Sequence, residues 1–281
     1  MIQAQIDVKV NSTSESTIFD DAWHSQFRYS IELMQKYKPN LVIYPETFYN
    51  DSYSKDIFKD LTQDDKLIVA GSIYYGSENN TICFYKGNKI CIPKANPSPL
   101  EIASRYMSSQ GFDDLYENEI WANKLRTFYI KDKKIIVLNC MEYYNSAYFI
   151  SRSKKYNQNL FGIACPCSSS NINLFEMETA VISNHQENIH TFLCNRVSPH
   201  DKSRTKDGSY IYGPITKAEK KFLKQDFPSY SVDHICGVIR LNHQPSWIYS
   251  EFATGSNLSP YGRSDNFMVT PKNTVIGLLE V

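Results

Sequence analysis

Three side chains of this sequence combine into one chemistry. Glu46 follows the apolar run Leu41-Val42-Ile43-Tyr44-Pro45, Lys94 follows Ile90-Cys91-Ile92-Pro93, and Cys140 follows Ile135-Ile136-Val137-Leu138-Asn139. A free thiol has a pKa of about 8.5, so little thiolate exists at neutral pH. A carboxylate within reach of the sulfur takes its proton during attack and returns it to a leaving amine. A lysine ammonium beside them favours the thiolate and stabilises the oxyanion of a tetrahedral intermediate, and the backbone N–H of Met141 supplies a second oxyanion donor. A carboxylate, an ammonium and a thiol delivered to one place describe acyl transfer through a thioester.

The elements must bring them there. Each of the three stands just past the C-terminal end of an apolar strand, the edge of an α/β sheet where ligands bind. Position alone equally admits a surface Glu, a surface Lys and a structural buried Cys. The pattern predicts strands over Gln3–Val10, Asn40–Tyr44, Leu67–Tyr75, Thr81–Tyr85, Ile90–Ile92, Lys134–Leu138 and Leu160–Ala164. Further strands are expected over Phe192–Cys194, Ser209–Tyr212, Ile235–Leu241 and Val275–Leu279. Helices are expected from a Thr17 cap to about Tyr37, over Tyr53–Leu61, from an Asn173 cap to about His190, and over Thr216–Lys224. Interleaved strands and helices make the chain α/β, with helices covering sheet faces.

The local sequences resemble the nitrilase superfamily of carbon–nitrogen hydrolases. The segment Asn40–Glu46 is similar to that family's strand ending in Pro-Glu. Lys94-Ala95-Asn96-Pro97-Ser98-Pro99-Leu100-Glu101 is similar to its lysine segment, and Ile135–Glu142 to its nucleophile strand followed by Cys-x-acid. Softer matches follow in order at Leu160–Pro166, at Glu187-Asn188 with Asn195-Arg196-Val197, and at Gly208–Pro214. The resemblance covers about residues 1–215, and residues 217–281 match poorly.

It implies a single domain over 1–281 with a four-layer α-β-β-α sandwich, and a homodimer or larger homo-oligomer. Glu46 would be the general base, Lys94 the oxyanion stabiliser and Cys140 the nucleophile. Glu101 would be a supporting carboxylate, and Pro166 would border the pocket. The activity implied is hydrolysis of a small amide or a nitrile. The alternatives are acyl or ammonia transfer through the same thioester, or a binding module that keeps the fold without catalysis.

Composition narrows the setting. Thirty basic residues balance thirty acidic ones, which argues against a dedicated nucleic-acid or anionic-membrane partner. The sequence shows neither a signal pattern nor an apolar stretch of the roughly 20 residues that a membrane span requires. Seven cysteines with no framework spacing fit a reducing, cytoplasmic setting. Cys165 and Cys167 with His185 and His190 form a zinc set on paper. Cysteines packed as small apolar side chains are the simpler reading, for these and for Cys83, Cys91, Cys194 and Cys236, so neither metal nor cofactor is expected.

Glu142 reads either as a second acid or as a residue that holds the turn. Tyr143, with Tyr144 and Tyr148, is expected near the pocket mouth or at a dimer helix. The basic residues Lys202, Arg204, Lys206, Lys217, Lys220, Lys221 and Lys224 are expected to be solvated surface.

Overall fold

The computed structural model describes residues 2–5, 19, 21–75, 78–95, 125–146, 159–169, 175, 178, 182, 189–195, 210–212, 247–252, 267–269 and 275–279. Two sheets are formed by the described residues. The first contains β1 (Ile2–Gln5), β2 (Leu41–Ile43), β3 (Leu67–Tyr75), β4 (Glu78–Tyr85), β5 (Asn88–Pro93), β11 (Trp247–Phe252), β12 (Phe267–Val269) and β13 (Val275–Leu279). Its order is β12-β11-β13-β1-β2-β3-β4-β5. The second contains β6 (Thr127–Ile130), β7 (Lys133–Val137), β8 (Leu160–Cys167), β9 (His190–Asn195) and β10 (Tyr210–Tyr212), in the order β10-β9-β8-β7-β6. β1 pairs with both β2 and β13, so the two ends of the chain meet in one sheet.

Alternation along the strands divides the apolar residues into three packed layers. Leu41, Ile43, Leu67, Val69 and Cys83 of the first sheet face Ile135, Val137, Ala164, Phe192 and Cys194 of the second. On the outer face of the first sheet, Val42, Tyr44, Ile68, Ala70, Ile82 and Phe84 pack against helices α1 (Asp21–Tyr37) and α2 (Asp51–Leu61). α1 turns Trp23, Phe27 and Met34 inward at helical spacing, and the Trp23 and Phe27 rings stack 5.2 Å apart. On the outer face of the second sheet, Ile136, Leu138, Ile163, Cys165 and Leu193 pack against the 3-10 helix Cys140–Asn145 and the helical residues Phe175 and Ile182. This is the α/β, four-layer α-β-β-α sandwich that the resemblance implied.

Several expectations are corrected. α2 begins at Asp51, earlier than expected, because Asn50 caps it by accepting from the Ser52 N–H. β6 was not expected, and it pairs antiparallel with β7 across Lys131-Asp132. His190 lies in β9, not in a helix, where Gly162 of β8 pairs with it in parallel. Its ring stacks with Phe161 and Phe192 on the inner face, whereas Cys165 and Cys167 pack on the outer face, so the sheet separates them. Cys91 is exposed rather than buried, because β5 is an edge strand and alternation turns Cys91 outward between Ile90 and Ile92. Thr17, Glu101, Tyr148, His185, Cys236, the basic residues from Lys202 to Lys224, the helix expected over Thr216–Lys224 and the strand expected over Ile235–Leu241 lie outside the described residues. No described helix is long and apolar enough to cross a membrane.

Candidate active site

β2 and β3 run parallel, and β5 returns to the same direction after two antiparallel pairings. Glu46 and Lys94 therefore leave one edge of the first sheet, and the beginning of β4, with Asn79, reaches the same edge. In the second sheet β7 and β8 are parallel, and Cys140 leaves β7 beyond Leu138, whose N–H still bonds to Ala164 O.

The Glu46 turn is built from both sides. Tyr44 and Phe48 stack 4.3 Å apart in the outer aromatic layer, and Tyr44 OH shares a 2.7 Å hydrogen bond with Ser30 of α1. Between them the chain bends through Thr47, whose φ is +64° and whose N–H donates to Ser72 Oγ. The bend lies against Gly71, where φ is +89° and an added Cβ would stand 2.2 Å from Pro45 O. The β3–β4 register shifts between Val69 and Ser72, around this glycine. The Glu46 N–H donates across to Cys167 O at the end of β8 (3.4 Å), which ties the turn to the second sheet.

Glu46 and Lys94 form a buried ion pair. Lys94 Nζ donates to Glu46 Oε1 at 2.9 Å, and Asn79 Nδ2 donates to the same oxygen at 2.9 Å. Asn79 also fixes the lysine segment, because its carbonyl accepts the Lys94 N–H at 2.8 Å.

Cys140 is buried and carries a φ of +48°. Burial pushes its thiol pKa up, and the Glu46 carboxylate raises it further; Lys94 and a hydrogen bond from the Ser168 N–H act in the opposite direction. The electrostatics thus join all three predicted residues, and the thiol rests protonated beside a carboxylate and an ammonium.

Other expected residues separate by role. The Glu142 carboxylate pairs with buried Arg126 through Nη1 (2.6 Å) and Nη2 (2.7 Å). Met141 and Cys140 lie in the first turn of the 3-10 helix. Tyr143 is fully buried in the outer layer, with OH 2.9 Å from Thr191 Oγ1 and its ring on Phe175. Tyr144 is half-buried, hydrogen-bonded to Ser169 and electrostatically coupled to Cys140. Pro166 is buried in β8 between Cys165 and Cys167.

Asn79 and Arg126 were not anticipated. Asn79 follows two polar positions and has no local pattern. Arg126 had a usable signal: once Thr127–Val137 is read as a hairpin, the residue before β6 falls beside the residues after β7.

No family model and no curated protein matches the chain. Among solved structures, the chain is similar to the amidase from Nesterenkonia sp. AN1, at 12% identity and a TM-score of 0.48 over 81% of this chain and 99% of that one. A variant of that amidase described as belonging to the nitrilase superfamily gives 13% identity and a TM-score of 0.48 over 76% and 84% of the two chains. The glutamine-dependent NAD+ synthetase from Acinetobacter baumannii gives 13% identity and a TM-score of 0.44, over 75% of this chain and 40% of that one.

Proposed function

We propose that the protein hydrolyses the carbon–nitrogen bond of a small amide or nitrile through a thioester on Cys140. The observation that carries the reading is the buried Glu46–Lys94 pair, whose two charges both act on the Cys140 thiol. With Oε1 held by Lys94 and Asn79, Oε2 of Glu46 takes the Sγ proton as sulfur bonds to the substrate carbonyl carbon. The oxyanion forms beside Lys94 Nζ and the Met141 N–H. Glu46 then passes its proton to the departing nitrogen, the C–N bond breaks, and a thioester remains. Water attacks that thioester, gives a proton to Glu46, and the carboxylic acid leaves as the thiol is restored.

Residues 1–281 act in this proposal as one domain in a cytoplasmic homo-oligomer, with neither metal nor nucleic acid taking part. Glu101 is assigned the supporting carboxylate and Pro166 a place in the pocket wall. Ammonia release from a panel of short amides and nitriles tests the reading. Wild type should release ammonia, while Cys140→Ala and Glu46→Gln fall by roughly a hundredfold or more; equal release by all three overturns it. Repeating the assay with an amine acceptor separates hydrolysis from acyl transfer.

A further inference from the structure

Glu46 and Lys94 stand on one sheet and Cys140 on the other, so something must fix the separation of the two edges. Glu142 and Arg126 lie buried where those edges meet. Glu142 Oε1 accepts the Ala95 N–H at 2.6 Å, and Oε2 accepts the Asn139 N–H at 2.7 Å. Ala95 follows Lys94, and Asn139 precedes Cys140. One carboxylate therefore holds the backbone neighbour of the ammonium and the backbone neighbour of the thiol. Arg126 locks that carboxylate with two hydrogen bonds, and its Nη2 also donates to Pro93 O at 2.6 Å, on the other side of Lys94. Its Nη1 reaches Val137 O, the last residue of β7, at 3.4 Å.

We infer that the Arg126–Glu142 pair is a positioning device that sets the register of Lys94 against Cys140 across the two sheets. The inference rests on the reading of Glu46, Lys94 and Cys140 proposed above. Neither residue touches the reacting atoms. A planar guanidinium is suited to this task, because its fork can bind both carboxylate oxygens and still reach two carbonyls. A lysine could replace its charge but not that geometry.

The test is a double-mutant cycle read on the thiol. The pH dependence of Cys140 alkylation by iodoacetamide, resolved by peptide mass spectrometry, is measured in wild type, Lys94→Met, Arg126→Lys and the double variant. In the wild-type background Lys94→Met should raise the apparent Cys140 pKa by about one unit. With Arg126→Lys already present, the same substitution should produce no more than about half that shift. A merely structural pair would lower stability and leave the Lys94 effect intact, so an undiminished shift overturns the inference alone. If Lys94→Met does not move Cys140 even in wild type, the site reading fails and the inference fails with it.

A second measurement needs no variant and covers the case in which Arg126→Lys does not fold. The amides of Ala95 and Asn139 lie outside β5 and β7, yet they should exchange hydrogen as slowly as the neighbouring strand amides. Exchange at the rate of exposed loops overturns the proposed clamp.

Discussion

Cys140 enters its turn with a positive φ that a residue bearing a Cβ adopts at a cost of roughly 1–3 kcal/mol. The cost is tolerated because the turn is pinned on both sides, by Leu138 on β8 and by Glu142 on Asn139. The same surroundings give a sharp test of Glu46. Its negative charge raises the Cys140 pKa, so electrostatics alone predict that Glu46→Gln makes the thiol more reactive. A general base predicts the reverse, and iodoacetamide modification of Cys140 at neutral pH should slow by roughly tenfold or more in Glu46→Gln. Faster modification would remove the base assignment. Glu46, Lys94 and Cys140 stood out as candidates in the sequence because each closes an apolar strand. Asn79 did not, since the bond it makes to Glu46 spans 33 positions and leaves no local pattern.

The elements that aim these residues depend on small backbone details. Gly71 lets the Pro45 carbonyl approach β3, and any Cβ there would strain the backbone and meet that oxygen. Gly71→Ala should cost roughly 2 kcal/mol or more in urea unfolding and move the Glu46 turn; an unchanged midpoint would show that the turn does not need the glycine. Asn50→Ala should cost about 1 kcal/mol by loss of the α2 cap, and it should leave the Cys140 alkylation rate unchanged. Strands were readable where they are apolar on both faces, as in β2, β3 and β7. β6 escaped because Thr127 and Tyr129 alternate with Phe128 and Ile130 over only four residues. The extent of the helix expected up to His190 failed because a polar stretch hides the start of β9, which only pairing with β8 defines.

At the scale of the whole molecule, three apolar layers hold several thiols in a neutral state. Burial raises the pKa of Cys83, Cys140 and Cys167, and the thiols around Cys167 raise it further. In the unfolded chain these groups ionise near about 8.5. The folded state keeps its protons to higher pH, so this contribution to stability is complete below about 8.5 and declines as pH rises. The Tm should therefore fall between about pH 8 and 10, less steeply in Cys83→Ala; a flat profile would contradict the burial of these thiols. The layering itself was legible from the interleaved apolar runs and the resemblance, whereas the joining of β11, β12 and β13 to the first sheet was not, because those pairings form between distant parts of the chain.

The central claim, a thioester on Cys140 of the sandwich edge, is tested most directly by intact-protein mass spectrometry. Wild type and Cys140→Ala are exposed to a mixed library of small amides and nitriles and quenched in acid. The account predicts an added acyl mass on wild type alone, mapped to the peptide that contains Cys140. An unmodified wild type across the library, or an adduct that persists in Cys140→Ala, would contradict it.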